Sequence, residues 1–266
     1  MKTKIAVFGL LLCLTLTGCI EVTTVVKVNR DGSGTIELTS VITNSLVELL
    51  GGLGQEKKSA DDSAVDKEEL REKALGMGEG VSLVSAELVT REIGSGVKAV
   101  YSFQDVNLIK INQNPAENLP GSQQEKPLQE FVRFEFIAGN PAVLKILQPE
   151  YEQAEGDAQA KSKTESAETS ADDKQMMEML RELYKQMKIG FAVEVAGTIV
   201  ATDATYVEGS QVTIMEMDFE KLMEDDATFD MLAKAQPESM QATKELLSEF
   251  PGIKVELQPE VSIRFR

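Results

Sequence analysis

The 266-residue chain has no histidine and no tryptophan, and it carries two cysteines and four tyrosines. Each shortage removes a chemistry. Without histidine there is no Ser–His–Asp or Cys–His catalysis, no proton shuttle tuned near pH 7 and no imidazole metal ligand. Positive charge is also scarce, with 27 basic against 44 acidic side chains and a formal charge of −17. Such a balance argues against sequence-independent nucleic-acid binding, which needs clustered Lys and Arg. No GxSxG, HExxH, P-loop or CxxC motif occurs. The composition therefore points away from an enzyme and from a bound cofactor. What remains is 42% apolar residues in a length ample for one large or two small domains.

The amino terminus carries the strongest signal. Lys2 and Lys4 precede Ile5 to Leu16, a mostly apolar stretch that is too short for the roughly 20 residues of a bilayer span. Its proportions are those of a secretory signal peptide. The stretch ends in Leu16-Thr17-Gly18-Cys19, which resembles the lipobox of bacterial lipoproteins. That resemblance implies cleavage before Cys19, a diacylglyceryl thioether on its sulfur, and acylation of the new amine by a fatty acid such as palmitate. Residues 1–18 would leave as the leader and take Cys13 with them, so the mature chain keeps no free thiol and forms no disulfide. Loss of Lys2 and Lys4 makes it two charges more acidic. A strand pattern begins at Ile20 with no Ser/Gly-rich tether, which places the folded part close against the membrane. Ile20, rather than Asp, follows the cysteine; by the same resemblance this favours the periplasmic face of the outer membrane in a Gram-negative cell. In a cell without one, the location would be the outer face of the cytoplasmic membrane.

Along the rest of the chain, apolar alternation and turn residues predict antiparallel hairpins. The first pairs Ile20–Asn29 with the strand through Ile36, Leu38 and Ile42 across Asn29-Arg30-Asp31-Gly32-Ser33-Gly34. Asp31 and Gly32 lack the further ligands of a calcium loop and read as a turn. A second hairpin joins 81–91 to 97–106 across Gly94-Ser95-Gly96, and a third joins 131–138 to 142–147 across Gly139-Asn140-Pro141. Helices are expected near Leu46–Leu53, Asp66–Leu75, Met176–Met187, 219–223, 228–234 and 237–250. Strands are expected over 190–200, 211–219, 253–257 and 261–265. Between these, 150–173 holds eight acidic and two basic residues and no Val, Ile, Leu, Phe or Met. That composition cannot offset its ordering entropy and reads as a disordered linker. The expected organisation is a leader (1–18), an α+β region (19–149), the acidic linker (150–173) and a second α+β region (174–266), the two regions sharing one sheet or standing apart. The expected fold class is α+β, with hairpins forming a sheet covered by helices on one face. No apolar run lies near the C-terminus, leaving the lipid as the expected anchor.

Candidate sites are few. Asp61-Asp62, Asp172-Asp173 and Asp225-Asp226 sit in polar surroundings and read as solvated charge. Nine of the 11 methionines lie between Met176 and Met240. Thioethers bind Cu(I), but Met176 and Met179 fall on one helical face, and Met215 and Met217 on one strand face, where packing also accounts for them. The Leu46/Leu49/Leu50/Leu53 stripe suits packing on the sheet better than a membrane interface, because Glu48 replaces the usual cations.

The lipobox followed by a strand, Asn29-Arg30-Asp31-Gly32-Ser33-Gly34 and a second strand resembles the opening of the LppM-type bacterial lipoprotein domain. The later strand with Gly197 and the hairpin Glu208-Gly209-Ser210 does so more loosely. The resemblance implies a membrane-associated α+β envelope domain without enzymatic activity, discussed in terms of lipid or host-surface interaction. The chain has neither a C-terminal membrane segment nor a tryptophan after the second hairpin. The functional expectation is a lipid-anchored, non-enzymatic envelope protein with lipid at Cys19, bound to the membrane and to an envelope protein partner. The alternatives are a carrier of a lipid-like ligand in a pocket between sheet and helices and, more weakly, Met-based copper binding.

Overall fold

The structure, a computed structural model, describes residues 20–43, 65–91, 94–112, 131–149, 187–222, 224 and 240–266. Strand β1 (Ile20–Val28) turns into β2 (Gly34–Thr43), with Val28 opposite Gly34 and Ile20 opposite Ile42. The next hairpin is β3 (Ser82–Arg91) and β4 (Gly94–Phe103), and β4 lies antiparallel to β2. Gly94 to Gly96, expected in the turn, are part of β4. A side chain at Gly96 would overlap the Ser40 carbonyl oxygen, so glycine here permits close strand approach.

On its other side β1 pairs in parallel with β8 (Met187–Val195), Ile20 opposite Met187 and Val28 opposite Val195. Strand β11 (Gln211–Asp218) follows antiparallel to β8 and carries the short β10 (Val207–Glu208) and β12 (Ile253–Val255). The eight-stranded sheet thus runs β10-β11-β8-β1-β2-β4-β3, with β12 also on β11. A second sheet has the order β5 (Lys110–Asn112), β6 (Phe131–Ile137), β7 (Ala142–Leu147), β13 (Glu260–Phe265) and β9 (Ile199–Thr202). Strands from both sides of the 150–173 segment enter each sheet.

The expected α+β class, a sheet covered by helices, is overturned. The fold is mainly β, and the large sheet is covered by the second sheet. Val26, Val28, Ile36, Leu38, Tyr101, Phe103, Phe191 and Val193 from one inner face share a single buried cluster with Val132, Phe134, Leu144, Ile146, Ile263 and Phe265 from the other. A period-two pattern shows which face is buried but is silent on whether a helix or a sheet buries it. The described helices are short and marginal: α1 (Lys67–Met77), α2 (Phe219–Leu222) and α3 (Met240–Ser248). Helix α1 is capped by Asp66, which accepts from the Glu68 and Glu69 amides at 3.0 and 3.1 Å, and it buries Leu70 and Ala74. Helix α3 packs by β12 in a smaller cluster with Leu222, Phe250, Ile253 and Val255. The expected helices at 46–53 and 228–234 and the 150–173 linker lie outside the described residues, as does the expected helix 176–187 except for Met187, which is not helical but opens β8.

The expected single strand over 190–200 is two strands in different sheets. Gly197 adopts φ +149°, and a Cβ there would overlap the Arg266 carbonyl oxygen. The chain bends at this glycine to leave the large sheet and join the small one.

Candidate functional site

Cys19 and residues 1–18 lie outside the described residues, but the residue bonded to Cys19 opens β1. That strand is central, with three strands on each side in the pairing order. At its first residue Ile20 stands opposite Ile42 and Met187, and the Arg91 guanidinium donates to the half-buried Glu21 carboxylate. At its other end the Asn29–Ser33 turn is closed by Asn29 N donating to Ser33 O at 2.7 Å and Gly32 N to Asn29 O at 3.1 Å. The Ser33 hydroxyl and amide donate to Asp31, which holds that carboxyl below its ordinary range. These bonds bear out the turn reading of the Asp31-Gly32 pair.

The outer face of the large sheet carries a cross-strand charge ladder. Lys27 on β1 lies 2.8 Å from Glu37 on β2 and 3.7 Å from Glu194 on β8, and Lys98 on β4 lies 3.3 Å from Glu37. The Lys27 and Lys98 ammonium groups, offsetting a smaller burial effect, hold Glu37 below the usual carboxylate range; Glu37 and Glu194 raise Lys27. This is the solvated face of a sheet buried on one side.

A surface cleft of about 960 Å³ lies where the C-terminal end of α1 meets the edge of the small sheet. Leu75 and Leu108 line it at 78% and 51% exposure, beside Phe134 and Leu147. Lys110 and Arg133, opposite each other on β5 and β6, add positive charge, while Glu79 and Glu135 add negative charge. The cleft lies between a helix end and the small sheet, while the inner face of the large sheet is packed against the second sheet. The cleft was not apparent in the sequence because its lining is scattered between Leu75 and Leu147.

A second feature missed in the sequence is a buried polar corner. Glu256, fully buried, accepts from Thr205 N at 2.7 Å, Thr205 Oγ1 at 3.0 Å and Gln258 N at 3.2 Å. Gln148 at the end of β7 donates to the Glu256 and Gln258 carbonyls at 2.9 and 2.6 Å. These bonds tie β7, β12 and the loop after β9 together, which is a structural task.

Met215 packs against the large core and Met217 against the small cluster, so both serve packing. Met176, Met177, Met179 and the leucine stripe lie outside the described residues, as do Asp61-Asp62, Asp172-Asp173 and Asp225-Asp226. Among the described residues no three carboxylates gather to hold a metal ion, and no described helix is long and apolar enough to cross a membrane.

The strands thus define a mainly β domain of two facing sheets. No family model and no curated protein matches the chain. Among solved structures it is similar to the NMR structure of the folded domain of LppM from Mycobacterium tuberculosis, at 9% identity and a TM-score of 0.34, over 94% of this chain and 91% of that one.

Proposed function

We propose that this chain is a lipid-anchored bacterial cell-envelope protein that works by contact rather than catalysis. The observation that carries the reading is Leu16-Thr17-Gly18-Cys19 at the end of a leader-sized apolar stretch. On this reading residues 1–18 are removed and Cys19 bears the lipid. The domain stands at the periplasmic face of the outer membrane, or on the outer face of the cytoplasmic membrane where that is the sole membrane. The partners are the membrane and an envelope protein. The non-enzymatic assignment is supported by the absence of histidine and by the structural roles of Glu21, Asp31, Glu37 and Glu256, which are ion-paired or hydrogen-bonded within the fold.

A second reading, a carrier of a lipid-like ligand, is favoured by the cleft beside α1. Exposed leucines beside both Lys110 and Arg133 and Glu79 and Glu135 suit an amphipathic ligand with a polar head. Its place is then the edge of the sandwich and not the space between the layers.

The anchoring claim has a direct test. In cells fed radioactive palmitate, the wild-type chain should be labelled and sediment with membranes, and Cys19→Ala should be unlabelled and soluble. Equal labelling of the two would refute the assignment. Lipid extraction of the purified protein separates contact from carriage, since a carrier retains a stoichiometric extractable lipid besides the one on Cys19.

A further inference from the structure

The geometry points to an end-on seat of this domain on the bilayer, with the strand ends around Ile20 facing the headgroups and the Asn29–Ser33 turn pointing away. The inference rests on lipidation of Cys19 and goes beyond it, because an anchor alone does not fix which surface meets the membrane.

Three observations carry it. First, no spacer exists. Consecutive Cα atoms are about 3.8 Å apart, so the diacylglyceryl group on Cys19 holds Ile20 within roughly 10 Å of the headgroup layer. Second, Ile20 opens the middle strand of the large sheet. An anchor there draws in the neighbouring strand ends too: Ile42 and Thr43 on β2, Gly94 and Ser95 on β4, and Met187 on β8. These are uncharged, and the acidic groups of the next row are paired, Glu21 with Arg91 and Asp218 with Lys221, while Lys188 lies opposite both Glu21 and Asp218.

Third, the two ways of lying flat are unfavourable. The outer face of the second sheet, which covers the inner face of the large one, carries Lys145 ion-paired with Glu260 and near Glu135. The outer face of the large sheet carries the Glu194–Lys27–Glu37–Lys98 ladder, whose hydration would be lost against the headgroups. The chain's formal charge is −17, and an anionic bilayer repels it. A strand rises about 3.3 Å per residue, so standing β1 upright lifts its far end by about 30 Å. That distance exceeds the Debye length of about 8 Å at physiological salt several times over, so charge carried there is screened from the surface.

The experiment uses two positions on one strand. Ser95 lies at the lipid end of β4, and Gln104 is an exposed residue just past the far end. Because the thiol of Cys19 is blocked by its thioether, Ser95→Cys and Gln104→Cys each provide a single labelling site for a fluorophore. The lipidated full chain is reconstituted into phosphatidylethanolamine/phosphatidylglycerol vesicles containing nitroxide-headgroup phosphatidylcholine. The probe at Ser95 should be quenched at least threefold more than that at Gln104. Thr90→Cys, opposite Ser95 on β3 and exposed, should match Ser95 and guards against a local effect of one substitution. Equal quenching of the two β4 probes in vesicle-bound, palmitate-labelled protein would overturn the end-on seat while leaving the anchor intact. A chain that is unlabelled and does not float with vesicles would remove the anchor, and the seat with it.

Discussion

Two glutamates in different regions of the molecule are held in place by different means. Glu37 sits on the outer face of the large sheet and is stabilised by two mobile lysines, with solvent still reaching a quarter of its side chain. Glu256 sits in the corner between the sheets, fully buried, and its partners are neutral donors on Thr205 and Gln258, two of them backbone amides. The first arrangement is easily remade by water and salt; the second has no substitute once the carboxylate is gone. The outer face should therefore tolerate change, and the corner should not.

The largest effect is expected from Glu256→Ala. Three donors lose their acceptor inside the fold, and each unsatisfied buried group costs about 1–3 kcal/mol, partly relieved by entering water. Urea denaturation should show a loss of about 2–4 kcal/mol. A loss below about 0.5 kcal/mol would mean the corner is as forgiving as the outer face, and the contrast would fail.

Glu37→Gln should cost much less, about 0.2–1 kcal/mol, and the cost should shrink in 1 M salt, where the Debye length falls to about 3 Å. Its pH dependence has two edges. The folded pKa of Glu37 lies below the unfolded one, so its contribution is present above about pH 4.3 and is lost as pH falls through the lowered value. The folded pKa of Lys27 lies above its unfolded value, so its contribution is present below about pH 10.4 and is lost as pH rises through the raised value. The stability difference between wild type and Glu37→Gln should be flat between these limits and close toward both extremes. A difference that persists at acid pH would show that shape, not charge, holds the ladder.

The contrast also marks what could be read from residues alone. The alternation from Ile20 to Ile42 around Asn29–Gly34 yields the β1–β2 hairpin, and Asp66 before an acidic first turn yields α1, because both signals are local. The pairing of β1 with β8 joins residues far apart in sequence, and no local pattern encodes a parallel neighbour. The sheet switch at Gly197 depends on the backbone of Arg266. Glu256 was illegible for a related reason: alternation places it on the face opposite Val255, yet both are buried, because the junction of the sheets covers both sides. The proposal for Cys19 rests on sequence alone, because a signal peptidase would recognise a local motif. The cleft is not, since Leu75, Leu108, Lys110 and Arg133 meet through tertiary structure alone.

The smallest effect should have the opposite sign. Tyr101 lies on the inner face of the large sheet among apolar side chains, fully buried, and its hydroxyl has no hydrogen-bond partner among the described residues. Burial, with a further push from the Glu69 carboxylate, raises its phenol to about 12. Replacing it with Phe keeps the ring and removes an oxygen that lost water without gaining a partner. Tyr101→Phe should leave stability unchanged or raise it by up to about 1 kcal/mol. The linkage supplies a separate signature. A group whose folded pKa exceeds its unfolded value of about 10 contributes stability that is complete below that pH and lost as pH rises through the folded value. Wild type should therefore weaken between about pH 10 and 12 more steeply than Tyr101→Phe. If the substitution instead costs more than about 1 kcal/mol, the hydroxyl is bonded after all, and the inner face, like the Glu256 corner, admits polar atoms that bring their partners with them.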